Sequence, residues 1–344
     1  MRCGRRMVIL LALAFLAACT KEPPTYQEQG YVFGTLVDVS VYGEDEARAR
    51  QAINEVLHEF QRLHNMLHAW QPSELSELNT AFANGERKAV SPELAAMLQD
   101  AAQLSAQSGG LFNPTIGGLI EAWGFHADEF KPVQPDEKQI AQWVASDPQM
   151  SDIVIEQGKA WSRNKAVRLD LGGYAKGYAL DRAAALLRER GIRNALINIG
   201  GNVFALGRHG KRPWRVGIQH PRKPGALATL ELRDGEAIGT SGDYQRYFML
   251  GGKRYCHLID PRSGHPAQGV QAVTVLTRGA RAGVLSDAAS KPLFIAGATG
   301  WRTAAVQMNL PEAMLVDAQG NILLTAALQK RLEFTDKNIR WLVE

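Results

Sequence analysis

Apolar positions along the chain follow two spacings. Tyr31 to Val41 alternates apolar with polar and is rich in β-branched residues, which predicts a strand. From Glu44 to Leu67, Ala52, Ile53, Val56, Leu57, Phe60 and Leu63 recur at helical spacing and predict a long amphipathic helix. Ser91-Pro92-Glu93 has the form of a capped helix start with proline in the first turn, and that helix is expected to run to about Ser108, where Gly109-Gly110 stop it. A third helix is expected within Asp170–Gly191, reached through Gly172-Gly173. Ala195–Ile199 is a short apolar strand ending at Gly200-Gly201. Strands are expected to dominate from Trp214 to Thr277, with turns at Arg233-Asp234-Gly235 and Leu250–Lys253. Two further helices are expected over Ser286–Ala298 and Thr299–Met308. A hairpin should follow at Ala313–Val316 and Ile322–Leu324, turned at Asp317–Gly320. No internal repeat or low-complexity tract interrupts this pattern, which reads as α+β with much antiparallel strand.

The N-terminus has a different character. Arg2, Arg5 and Arg6 precede a charge-free apolar run, Met7–Ala18, that is too short to span a bilayer and reads as a signal peptide. The run ends in Leu16-Ala17-Ala18-Cys19, which resembles the lipobox of bacterial lipoproteins and implies cleavage before Cys19 and a lipid on its sulfur. The expected organisation is a signal over residues 1–18, a lipidated Cys19 with a tether to residue 30, and one domain over residues 31–344. Composition then changes the picture. The formal charge of +4 comes largely from the segment to be removed: without Arg2, Arg5 and Arg6 the 39 basic residues fall to 36 against 35 acidic ones. A near-neutral mature chain without a polybasic stripe does not point to nucleic acid, and none is expected as a partner. Of three cysteines, Cys3 leaves with the signal and Cys19 is acylated, so Cys256 alone cannot form an internal disulfide.

Candidate chemistry gathers at glycine-rich junctions. Leu169-Asp170-Leu171-Gly172-Gly173-Tyr174-Ala175-Lys176 delivers an acid from a strand end and then lets the backbone approach a ligand where a helix begins. Free N–H groups at such a start, with Lys176 in the first turn, suit a diphosphate, although a merely glycine-rich helix start reads equally well from spacing. The order is neither a Walker loop nor a dinucleotide fingerprint. Asn198-Ile199-Gly200-Gly201-Asn202 reads as a tight turn. Asp287, near a helix start, is a cap or a metal ligand. His257 is a base, a phosphate donor or a structural residue at a strand end. No zinc spacing or hydrolase elbow is present.

Taken together and in order, these segments resemble the FAD:protein FMN transferases of the ApbE family. The resemblance rests on Phe33-Gly34-Thr35, Ser73–Asn79, Phe112–Leu119 with Trp123-Gly124-Phe125, Asp170–Asp181, Asn198–Asn202, Gly239–Tyr244, His257–Pro261 and Asp287 onward, and it spans nearly all of residues 30 to 340. It implies an ApbE-like, T-fold-related single domain of two closely joined lobes, with mixed and antiparallel sheets flanked by helices. It also implies that Phe33 and Trp70 meet the flavin; that Leu111, Phe112 and Asn113 contact the cofactor through their backbone; that Asp170, Lys176, His257 and Ile259 bind FAD; and that the Gly173 carbonyl and Asp287 hold Mg2+. Catalytic roles fall to His257 and Asp287. The implied reaction is Mg2+-dependent transfer of FMN from FAD to a Ser or Thr hydroxyl of an exported flavoprotein, with release of AMP, by a lipoprotein anchored in the membrane and facing the periplasm. The alternatives are an FAD pyrophosphatase, a non-catalytic FAD-binding lipoprotein, and a solute-binding lipoprotein unrelated to flavin. One departure stands out. The family has Thr as a second metal ligand four residues after the aspartate, and here that position is Lys291, followed by Pro292. An ammonium cannot ligate a cation. It could replace part of the metal's charge, or Ser290 could supply the oxygen instead.

Overall fold

In the computed structural model, which describes residues 22–343 apart from Asp128, Phe130 and Asn338, one sheet organises the chain. Residues 1–21, with the expected signal and Cys19, lie outside the described residues. Along the sheet run Thr25–Val32, Thr35–Tyr42, Ala195–Ile199, Asn202–Leu206, Glu236–Gly242, Val270–Arg278, Ala313–Asp317, Ile322–Leu324 and Trp341–Val343. All neighbours are antiparallel except the last pair. Val270–Arg278 is buried along almost its whole length, because both faces of the sheet are covered. Val273 and Val275 face the main core with Val37, Val39, Ile197 and Leu315, under the helices Glu46–Leu67, Pro92–Gln107, Ala175–Glu189 and Ser290–Gln307. Ala272 and Leu276 face the other side, where Trp214–Gln219 and Ala226–Leu232 form a small sheet with Glu333–Phe334. A third apolar cluster, formed by Ile116, Leu119, Trp123, Phe125, Ile140, Phe248 and Ile259, is distinct from both. Cys256 is buried at the edge of the main core, and burial pushes its thiol up to about 12.

The long helix spans Glu46–Leu67, with Asp45 as its cap accepting from the Arg48 N–H and Ala52, Ile53, Val56, Phe60 and Leu63 buried. Ser91 caps Pro92–Gln107 as its sequence requires. Three features differ from the sequence reading. Residues 25–30, expected to lie in the tether, join Tyr31 and Val32 in an edge strand paired with Thr35–Tyr42, so the single strand expected over residues 31–41 is split at Phe33-Gly34; the polar side chains of the first part leave no apolar alternation to read. Glu74–Asn84, within a motif read for its chemistry, is a helix capped by Ser73. The helix expected from Ser286 begins four residues earlier, and a break at Ala289 separates Ala282–Ala288 from Ser290–Gln307, which is itself interrupted at Gly297.

The early start has a non-local cause. Asp181 on Ala175–Glu189 accepts from the N–H groups of Gly283 (2.7 Å) and Val284 (2.9 Å) and so caps the second helix from outside. The two helices meet through glycine: a Cβ on Gly177 would lie 2.4 Å from the Gly283 carbonyl oxygen, and one on Gly283 would lie 2.4 Å from that of Gly177. Gly283→Ala is therefore expected to destabilise the protein by about 1–3 kcal/mol, seen as a lowered thermal midpoint; an unchanged midpoint would show that the helices can part without penalty. Burial raises the Asp181 carboxyl to about 6, although two N–H donors oppose it. A folded pKa above the unfolded one favours folding most below the unfolded value, and that contribution is lost as pH rises through 6. The stability of wild type relative to Asp181→Asn should accordingly be highest near pH 4 and fall as pH rises toward 7.5 in parallel melts.

Candidate functional site

The site is built on two paired segments. Residues 114–117 run beside 168–170: the Asp170 N–H donates to the Pro114 carbonyl (2.8 Å), Arg168 to Thr115 (3.1 Å) and Gly117 to Arg168 (2.8 Å). Buried Asn79 brackets Leu169, accepting from its N–H at 2.6 Å and donating to its carbonyl at 2.9 Å. Asp170 therefore arrives at a fixed position, and its Oδ1 accepts from the Gly172 N–H (2.7 Å) to shape the turn. The helix Ala175–Glu189 follows with no side-chain cap at Tyr174. A remote carboxylate serves instead: Asp287 Oδ2 accepts from the Gly177 N–H at 3.0 Å.

Asp287 is 1% exposed, yet Lys291 and Lys176 hold its carboxyl below the usual carboxylate range against the opposing effect of burial. The Lys291 ammonium forms an ion pair with Asp287 Oδ1 and donates to the Asp287 carbonyl at 2.7 Å. Burial draws that ammonium below its ordinary value, and Asp287 opposes the shift. The Lys291 stem crosses the helix start: a Cβ on Gly173 would sit 3.3 Å from Lys291 Cε and 3.7 Å from the Phe112 ring. Ser290 donates to the Asp287 carbonyl (2.8 Å) and shares a hydrogen bond with Ser241 (2.7 Å).

His257 completes this group. Its Nδ1 lies 3.2 Å from the Arg246 carbonyl, which can only accept, so Nδ1 carries the proton and Nε2 keeps its lone pair. Burial and the charges of Arg246, Lys176 and Lys291 hold the imidazole well below its ordinary pKa, and it is neutral at physiological pH.

The aromatic positions form a second group. Phe33 has φ of 57° in the two-residue turn before Gly34, a conformation that disfavours a bulky side chain, and it packs against Phe60 and edge-on to His64. His64 meets His68, whose Nδ1 accepts from the Trp70 N–H at 3.1 Å. Trp70 lies under the Arg168 guanidinium at 4.6 Å, two residues from Asp170. Leu111 is half-buried, whereas the Phe112 N–H is engaged by Ser108 Oγ (3.0 Å) and the Asn113 side chain by Pro148 and Thr115. The Ile259 side chain is part of the third apolar cluster. Thus Gly173, Lys176, His257, Asp287 and Lys291 converge, and Arg168 ties Trp70 to the segment that ends at Asp170.

The magnesium implied by the resemblance does not fit this donor set. Mg2+ demands six oxygen donors in near-octahedral geometry. Such a site takes one or two carboxylates and fills the rest with waters and substrate phosphates, but here one Asp287 oxygen serves a backbone N–H, the other an ammonium, and position 291 offers a lysine where a second side-chain oxygen is needed.

The ApbE family profile matches residues 33–315. The chain is 43% identical over 96% of its length to an FAD:protein FMN transferase of Rhodobacter capsulatus, though it spans only 64% of that protein's length. It is 30% identical over 84% of its length to an FAD:protein FMN transferase of Haemophilus influenzae, covering 86% of it. The chain belongs to the ApbE family. Its fold agrees with that of family members already solved. The ApbE protein of Thermotoga maritima superposes with a TM-score of 0.82 at 28% identity, covering 90% of this chain and 99% of that one. The flavinyl transferase ApbE of Pseudomonas stutzeri superposes with a TM-score of 0.78 at 26% identity, covering 91% and 98%.

Against this ApbE frame, sequence reasoning passed over four residues that the site uses. Arg246 orients His257 through its carbonyl and reaches the Phe125 carbonyl through its guanidinium (2.9 Å). Asn79 fixes the strand before Asp170, Asp181 caps the helix that carries Asp287, and Ser241 anchors Ser290. For Asn79, Asp181 and Ser241 the matched motifs Ser73–Asn79, Asp170–Asp181 and Gly239–Tyr244 held the signal, but the roles depend on partners 49 to 102 residues away.

Proposed function

We propose that this chain transfers the FMN half of FAD to a Ser or Thr hydroxyl of an exported flavoprotein and releases AMP. The observation that carries the reading is a neutral His257, oriented by the Arg246 carbonyl, together with Lys176 and the Lys291 stem at a helix start that its own N-cap residue, Tyr174, leaves uncapped. Such a group attracts a diphosphate and offers a base next to it. The acceptor oxygen attacks the phosphorus on the FMN side. A new P–O bond joins FMN to the acceptor, and the bond to the AMP phosphate breaks. His257 Nε2 takes the hydroxyl proton, and AMP leaves with the bridging oxygen, its charge facing Lys176 and the helix N-terminus. The three cations that depress His257 in the free protein are countered when the diphosphate binds, so the imidazole becomes a stronger base when substrate is present. Phe33 and Trp70 supply an aromatic edge and face for the isoalloxazine. No step is assigned to magnesium, because the donor set does not fit it. The Arg2–Cys19 segment supports a lipid-anchored location facing the periplasm.

The test is incubation with FAD and an exported flavoprotein domain carrying a flavinylation-type Ser or Thr motif. Covalent FMN on the acceptor, seen by mass spectrometry with matching AMP release, is the expected result. FAD bound without covalent FMN would overturn it, and FMN and AMP produced steadily without any acceptor would favour hydrolysis instead. His257→Ala should lower the transfer rate by about 10²–10⁴-fold while FAD still binds.

A further inference from the structure

We propose that the Lys291 ammonium is the resident cation of this site, standing against Asp287 in the place of a divalent ion, so that FAD binding and FMN transfer need no metal. The transfer half of this inference rests on the function proposed above.

The geometry makes the argument. An ammonium has three donors. Two are directed at Asp287, one to its carboxylate and one to its carbonyl. The third is left for an anion at the half-buried Gly173, across which the Lys291 stem lies. Asp287 is fixed on its other oxygen by the Gly177 N–H, and Ser290, one residue before the lysine, is held by Ser241. A metal would have to displace the ammonium from Asp287 and would find no second side-chain oxygen at position 291. The pair also has little reason to exist for stability alone. Lys291 is 13% and Asp287 1% exposed, and a buried ion pair is often no more stabilising than apolar residues of the same volume. Held beside a helix start that faces an anion, the same pair supplies a fixed positive charge with no metal to lose.

The test uses the wild-type protein, with FAD affinity measured by calorimetry and transfer measured in EDTA and in millimolar Mg2+. The inference expects affinity, rate and thermal midpoint to be the same in both. Lys291→Thr should lose about 10–100-fold in FAD affinity in EDTA and recover it with Mg2+, together with a Mg2+-dependent rise in thermal midpoint. Wild-type FAD binding that collapses in EDTA and returns with Mg2+ would overturn the inference even if transfer proceeds. FAD binding that is equal in both conditions, with no transfer in either, would instead defeat the proposed reaction and leave the tethered cation standing. A wild-type midpoint raised by Mg2+ alone would count against it whatever FAD does.

Discussion

Two short helices exchange carboxylates, and the site depends on that exchange. Ala175–Glu189 lends Asp181 to the N-terminus of Ala282–Ala288, and Ala282–Ala288 lends Asp287 to the N-terminus of Ala175–Glu189. Each helix start lacks a side-chain cap of its own, so each is satisfied by the other. The exchange works only if the axes come very close, which is why glycine stands at both crossing points. Any change that separates the helices would therefore also uncap them and move Asp287 away from Gly173. Packing and chemistry here are one constraint.

Electrostatics follows from the same crossing. Lys176 rides in the first turn of one helix, and Lys291 sits four residues beyond Asp287, one on each side of the gap. With Arg246 they place three positive charges around a histidine that burial already keeps neutral. The Asp287 carboxylate faces them, locked by hydrogen bonds, and Asp170 stands at the rim beside Gly172. The surplus is positive and lies beside a helix N-terminus, so the pocket is poised for an anion before any ligand arrives.

How much of this was legible from the chain depends on whether the cause was local. Glu46–Leu67 could be read because its apolar face repeats at the helical period, and Pro92–Gln107 because Ser91 and Pro92 mark its start. The turns at Gly200-Gly201 and Gly251-Gly252 were visible for the same reason. The part of the edge strand before Tyr31 was not, because its polar side chains give it no face to betray it. Among site residues, the glycine-rich stretch to Lys176, and Asp287, could be named from the residues themselves, and Lys291 only against the family's threonine. That Asp181 would cap a helix 102 positions away, or that the Arg246 carbonyl would set the tautomer of His257, is information held only by the fold.

Lys291 shows how little sequence change is needed to alter the chemistry of such a frame. The backbone that presents Asp287 is fixed by the Asp181 cap, the glycine contact and the Ser290–Ser241 hydrogen bond, none of which involves the residue at 291. A side chain at that position is therefore free to differ while the fold stays the same. A neutral oxygen there would leave the buried Asp287 carboxylate with only Lys176 and the Gly177 N–H to offset it, and so calls for a cation from solution. An ammonium there supplies the cation from the chain itself and fixes its position by two hydrogen bonds. The first arrangement makes the site's charge depend on metal concentration, and the second makes it depend only on folding. Because the same carboxylate is served in both cases, the choice between them rests with one side chain on one helical turn.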